Sequence, residues 1–427
     1  MRPMSTTFQR ISATATILLV LAIIAVLALR SFGVPLALGP AATPEPTQAS
    51  SPGPSASEDP MAIFAQIETE VRQVRGLPAA EIGSPELLSR ADLSAELQRI
   101  FARDYPADER AADNAVLRAL GLLSADQDIG ALTEQLYAAQ VLGFYDYSQQ
   151  RMVVVTDAGL DPQARITYAH EYTHALQDAA FGTGAAHDAL VGDDDAALAR
   201  LGLEEGDASV AMLLWGLAHL TPDQLLGVSE TPLPDMRGIP AWMVQQLELP
   251  YLAGAEFVGQ LYASGGWDAI DAAYTDPPAS TEQLLHPEKY AADEKPIAVD
   301  ALDLAGGLSD ATGDAWQSAE TTTLGEAMIG IWLAGIGMSQ EDADVAAAGW
   351  GGDSLALASG PGDGWALALH VTWDAPAQAD EFEAAYSTLA QALPFDARLV
   401  RLGDRDTLVL QASSGTVLDA AAALQTP

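Results

Sequence analysis

The chain contains no cysteine, which excludes disulfides, thiolate metal sites, cysteine nucleophiles and a lipid-modified cysteine. Positive charge is scarce as well: 19 Lys plus Arg stand against 59 Asp plus Glu, for a formal charge of −40. The lysines are Lys289 and Lys295 alone. So acidic a chain repels nucleic acid, and no basic stripe offsets the field, so nucleic acid is excluded as a partner. No internal repeat and no G-x-G-x-x-G element occurs, which argues against a solenoid or a dinucleotide fold. The lack of disulfides leaves an extracytoplasmic location open, because large domains are stable without them.

Of long apolar runs there is one near the N-terminus. Residues 1–10 carry Arg2 and Arg10, and the uncharged run from Ile11 to Leu29 follows, closed by Arg30. As a helix it would be roughly 28 Å long, close to the ~30 Å hydrocarbon core. Leu27-Ala28-Leu29-Arg30 offers no A-x-A cleavage pattern. The run therefore reads as an uncleaved signal anchor over 11–29, with residues 1–10 cytoplasmic and the rest outside. Cleavage and secretion is the alternative. Residues 31–60, rich in Pro, Ser and Ala, read as a disordered stalk.

A compact region is expected over 61–300. Helical spacing appears at Ile63, Phe64, Ile67 and Val71, and again at Leu93, Leu97, Ile100 and Phe101. Two further helices run through Val116, Leu117 and Leu120 and through Ile129, Leu132, Leu136 and Val141. Extended runs Gly143–Tyr147 and Met152–Val155, joined by Ser148-Gln149-Gln150, read as a hairpin. Asp161-Pro162 then supplies a cap and a first-turn proline for a new helix. Asp193, Asp194 and Asp195 lack calcium-loop spacing and read as a solvated loop. A segment from Ile239 to Gly265 reads as helical, broken near Pro250.

The helix after Asp161 carries Tyr168-Ala169-His170-Glu171-Tyr172-Thr173-His174-Ala175-Leu176-Gln177. His170 and His174 lie one turn apart on one face, so both imidazoles can reach one Zn²⁺. Glu171 sits beside them, placed to take a proton from a water at the metal and pass it to a leaving amine. With six histidines in the whole chain, this spacing is a specific signal.

The His-Glu-x-x-His motif resembles that of the zincin metallopeptidases. The resemblance implies a zinc-dependent hydrolase acting on peptide or protein substrates, with an edge strand beside the cleft; Met152–Val155 would be that strand. Residues 175–180 lack the histidine-ended continuation. Leu203-Glu204-Glu205-Gly206-Asp207-Ala208 is instead similar to the glutamate-ended subclass that includes thermolysin, at a longer separation. It opens an apolar helix and makes Glu205 the third zinc ligand. Small Gly206 and Ala208 would let that helix approach the motif helix. Asp207 would be a partner for a ligating histidine, or a carboxylate at a helix start. His286 or Tyr290, at the end of a short helix capped by Ser280 and Gln283, would hydrogen-bond the developing oxyanion. His187, His219 and His370 read as structural.

Residues 301–427 read as an α+β region, with a helix at Leu324–Leu333 and another at Ala379–Leu393. Extended runs are expected at Ser354–Ala358, Trp365–Trp373, Leu399–Leu402 and Thr407–Gln411. The expectation as a whole is an α+β, mainly helical fold: a zincin-like catalytic domain with a small sheet, followed by this region. The function expected is that of a membrane-tethered zinc metallopeptidase. The alternative is a catalytically silent binding or scaffold protein that keeps a structural zinc site; loss of the general base would mark it, and Glu171 is present.

Overall fold

The structure, a computed structural model, describes residues 16–17, 59–157, 159–190, 192–229 and 236–424. The remainder of the expected anchor and stalk lies outside the described residues. Thr16–Ile17 form a short strand, β1. Among the described residues no helix is long and apolar enough to cross a membrane.

The fold is mixed, mainly helical with two small sheets. The first sheet has the order β1-β3-β4-β2, with β2 at Glu86–Leu88, β3 at Val141–Asp146 and β4 at Arg151–Val155. The hairpin β3–β4 pairs Gly143 with Val154 and Asp146 with Arg151. After Arg151, strand β4 is wholly apolar because both its faces are buried. Met152 and Val154 pack with helices α1 (Pro60–Arg75) and α5 (Pro162–Phe181). Val153 and Val155 join the second core, beside α2 (Arg90–Asp104) and α4 (Ile129–Gln140). Each such side chain contributes roughly 1.5–3 kcal/mol. Met152–Val155 is not an edge strand, since β2 pairs in parallel along its other side. The strand lying between β4 and short β1 is β3.

Helix α5 carries the motif and starts as its sequence requires: Asp161 Oδ1 accepts from the Ala164 amide at 2.8 Å. It is buried nearly all round because α1, β3 and helix α7 (Asp194–His219) enclose it. Asp193–Asp195 is not a loop. Asp193 caps α7 and Asp195 is buried, accepting from the Thr281 amide and hydroxyl at 3.0 and 2.5 Å. The Ala- and Leu-rich stretch after this cap extends the helix upstream, so Glu205 lies mid-helix. Asp207 consequently has no helix-start role.

Helix α9 (Ala241–Thr275) packs along α7. Pro250 sits within continuous helix, and the break comes at Gly265–Gly266, where Gly266 has φ +64°. It is α9, rather than the motif helix, that the small residues of α7 admit. A Cβ on Gly206 would lie 2.2 Å from the Gly254 carbonyl oxygen, and one on Gly254 would lie 2.1 Å from that of Gly202. Short helices α10 (Thr281–Leu285) and α11 (Pro287–Ala291) follow, and Ser280 Oγ accepts from Gln283 N at 3.2 Å as the cap.

The second sheet is antiparallel with the order β5-β6-β7-β9-β8, from β5 at Gln317–Thr322 through β6 (Trp350–Ser359), β7 (Trp365–Trp373), β8 (Asp396–Arg401) and β9 (Asp406–Ala412). Alternate residues serve two cores. Ala356, Ala358, Ala366 and Ala368 pack with Leu304, Leu308, Leu418 and Ala421. Leu355, Leu357, Leu367 and Leu369 join the core that also holds Leu93, Leu136 and Val153. The C-terminal sheet thus shares a core with the first sheet.

Candidate metal centre

The side chains of His170, His174 and Glu205 form a buried group able to hold a metal ion. Helix α5 contributes the two imidazoles, and α7, packed against it, contributes the carboxylate. His170 Nε2 lies 3.0 Å from Glu205 Oε2 and 3.1 Å from His174 Nε2. His174 Nε2 is 3.3 Å from Glu205 Oε2. A tetrahedral cation at ~2.0–2.2 Å from each ligand would separate the ligand atoms by about 3.3–3.5 Å, so the group needs to open only slightly. The donor set of two imidazole nitrogens and one carboxylate oxygen suits a borderline metal ion.

Burial and charge shape the group. The imidazole of His170 is held below its ordinary pKa, first by burial and then by the neighbouring His174. Burial acts the same way on His174, but the charge and hydrogen bond of Glu205 outweigh it and push His174 up to about 9. The carboxyl of Glu205 is itself buried, yet the two imidazoles hold it below the usual range.

Glu171 is buried beside the group. A Cβ on Gly143 of β3 would come within 3.4 Å of Glu171 Cγ. The carboxylate lies close enough to His174, Tyr147 and Tyr251 to raise the pKa of each. The two tyrosines bracket the histidines: the Tyr147 ring centre is 6.4 Å from His174 and the Tyr251 ring centre 6.1 Å from His170. Tyr251 also hydrogen-bonds Glu205.

His286 and Tyr290 are engaged elsewhere. His286 Nε2 pairs with Glu326 at 2.8 Å, and the Tyr290 hydroxyl donates to the Asp276 carbonyl at 2.8 Å. The aromatic hydroxyl groups near the histidines belong to Tyr147 and Tyr251, which no local pattern singles out. Tyr147 follows β3 and Tyr251 follows Pro250, so their approach depends on tertiary packing. Gln177 was legible in principle: it lies three residues after His174, on the same helix face, and its Oε1 is 2.9 Å from His174 Nδ1. Glu204 turns away and accepts from Arg200 Nε at 3.0 Å.

A second acidic group, Glu282, Glu294 and Asp374, also converges. Lys289 already supplies its cation, with Nζ 2.6 Å from Glu282 and 2.8 Å from Glu294, and pairs with Asp374 too.

Residues 314–425 match a family model described as a domain of unknown function, DUF8575. The match begins well after Glu205, so it covers the second sheet and none of the metal group. Neither a curated protein nor a solved structure matches the chain.

Proposed function

We propose that the chain is an exported zinc-dependent metallopeptidase of the glutamate-ended zincin type. The observation that carries this reading is the convergence of His170, His174 and Glu205, from two helices, beside Glu171. A zinc ion held there would supply Lewis acidity, polarising a carbonyl and acidifying water. Glu171 accepts a proton from the attacking water and delivers it to the amine as the C–N bond breaks. The hydroxyl of Tyr147, or that of Tyr251 once released from Glu205, would donate a hydrogen bond to the oxygen on which charge develops.

A competing reading keeps the zinc for structure alone, in a binding or scaffold protein. Burial favours it: His170, Glu171, His174 and Glu205 are each no more than 2% exposed, so a substrate reaches them only if the packing opens.

The two readings separate on one experiment. Full-length protein is loaded with zinc and incubated with an unbiased peptide pool, with and without a chelator. Chelator-sensitive cleavage supports the peptidase. Stoichiometric zinc without cleavage supports the structural site.

A further inference from the structure

We propose that Arg75, at the end of helix α1, is a positioning residue for His174, acting through Asp207 and Gln177. The inference rests on the reading that His170, His174 and Glu205 bind a metal.

The hydrogen-bond polarity runs one way along this chain of groups. Gln177 Nε2 is 2.9 Å from the Glu204 backbone oxygen and 3.1 Å from Asp207 Oδ2. A carbonyl oxygen and a carboxylate only accept, so this end of the amide is the NH₂. Its other end, Oε1, therefore faces His174 Nδ1 at 2.9 Å. A carbonyl oxygen cannot donate, so Nδ1 carries the hydrogen. The lone pair of the neutral imidazole is then on Nε2, the atom that faces His170 and Glu205. The tautomer needed for ligation is set by the orientation of Gln177, and that orientation by two acceptors, the Glu204 carbonyl and the Asp207 carboxylate.

Arg75 holds that charge in place. Its Nε and Nη2 donate to the two oxygens of Asp207 at 2.7 and 3.1 Å. Nη2 also donates to Asp271 at 2.7 Å, and the guanidinium lies 4.5 Å from the Trp267 ring centre. The Tyr274 hydroxyl donates to Asp207 Oδ2 at 2.8 Å. Arg75 and Asp207 are 1% and 0% exposed, in a chain with a net charge of −40. Without Arg75 the buried Asp207 would lose the partner that holds it and move, and the amide of Gln177 would lose one of the two acceptors that orient it. Docking of α1 is thereby coupled to metal binding.

The test is the zinc dissociation constant of the full chain, from chelator competition, alongside the melting temperature of the metal-free protein. Gln177→Met breaks the relay without changing charge, and a loss of ~10–100-fold in zinc affinity is expected, the usual scale for such partners. Arg75→Met should lose a similar factor, and Arg75→Lys should recover most of it. The double variant Arg75→Met/Gln177→Met should bind zinc no more weakly than Gln177→Met alone, because Arg75 acts only through Gln177. A purely structural Arg75 would lower the melting temperature and leave the zinc constant unchanged. Unchanged zinc affinity in Gln177→Met, or additive losses in the double variant, would overturn the relay. Should Arg75→Met fail to fold, Gln177→Met and Arg75→Lys still decide the question. A wild-type chain that binds no zinc would refute the metal site itself, a different result from a zinc-binding wild type indifferent to these changes.

Discussion

Arg200 Nε donates to Glu204 Oε1 at 3.0 Å in the protein interior, one residue before the carboxylate that meets the histidines. Adjacent positions on a helix point about 100° apart, so only one of the pair can reach α5. Glu205→Ala is expected to weaken zinc binding sharply and abolish hydrolysis. Glu204→Ala should keep zinc but lower stability by about 3 kcal/mol, since it strands a buried arginine. Zinc titration and denaturant unfolding of the two variants check both statements. Zinc loss confined to Glu204→Ala would reverse the assignment.

Glu171→Gln preserves shape but removes the base. Zinc content should match wild type while peptide hydrolysis falls by at least ~100-fold. Activity measured at equal zinc occupancy decides it, and an undiminished rate would refute the proposed mechanism.

The close crossing of α7 and α9 at Gly206 and Gly254 sets where Glu205 sits. A methyl group at either position would strike backbone on the other helix at close to 2 Å. Gly206→Ala should therefore destabilise the fold by roughly 1–3 kcal/mol, as overpacking does. It should also weaken zinc binding, because α7 must shift. Gly227→Ala is the control: nothing lies within 4 Å of its added Cβ, and both quantities should stay near wild type.

A cavity of about 100 Å³ lies between α3 (Ala107–Ala119), the start of α7 and β5, lined by Asp113, Asp194, Glu320, Trp242 and Trp332. Burial pushes the Asp113 carboxyl up to about 6, and pushes Asp194 up as well. A folded-state pKa above the unfolded value means the native protein binds the extra proton between about pH 4 and 6. Stability should therefore rise on acidification from pH 7 toward pH 5. Asp113→Asn, which can still accept from Tyr105, should be more stable than wild type at pH 7 and flatten the slope. Urea unfolding across that range is the measurement, and a wild-type slope of opposite sign would contradict it.

Legibility in the sequence followed the range of the interactions. The β3–β4 hairpin, the Asp161 cap, the His-Glu-x-x-His face and the extended runs of β6, β7 and β9 arise from neighbours within a few residues. All could be read directly. Selection of Glu205 over Glu204 came from the resemblance to glutamate-ended arrangements; the small residue after it faces α9 rather than the histidines. Three features were not readable, for the same reason. The partner of Gly206 is Gly254, the partner of Arg75 is Asp207, and the tyrosines beside the histidines come from β3's end and the middle of α9. Each depends on helix packing across tens of residues or more. Pro250 was misleading because its helix continues through it, and the chain breaks instead at Gly265–Gly266, where φ becomes positive.

The central claim is that His170, His174 and Glu205 hold one zinc ion. Its most direct test is metal quantification on the purified full chain after equilibration with zinc and removal of excess. Wild type should retain about one zinc per chain, while the His170→Ala/His174→Ala variant, folded by circular dichroism, should retain none. A wild-type chain that holds no stoichiometric zinc, or a double variant that keeps it, would contradict the account.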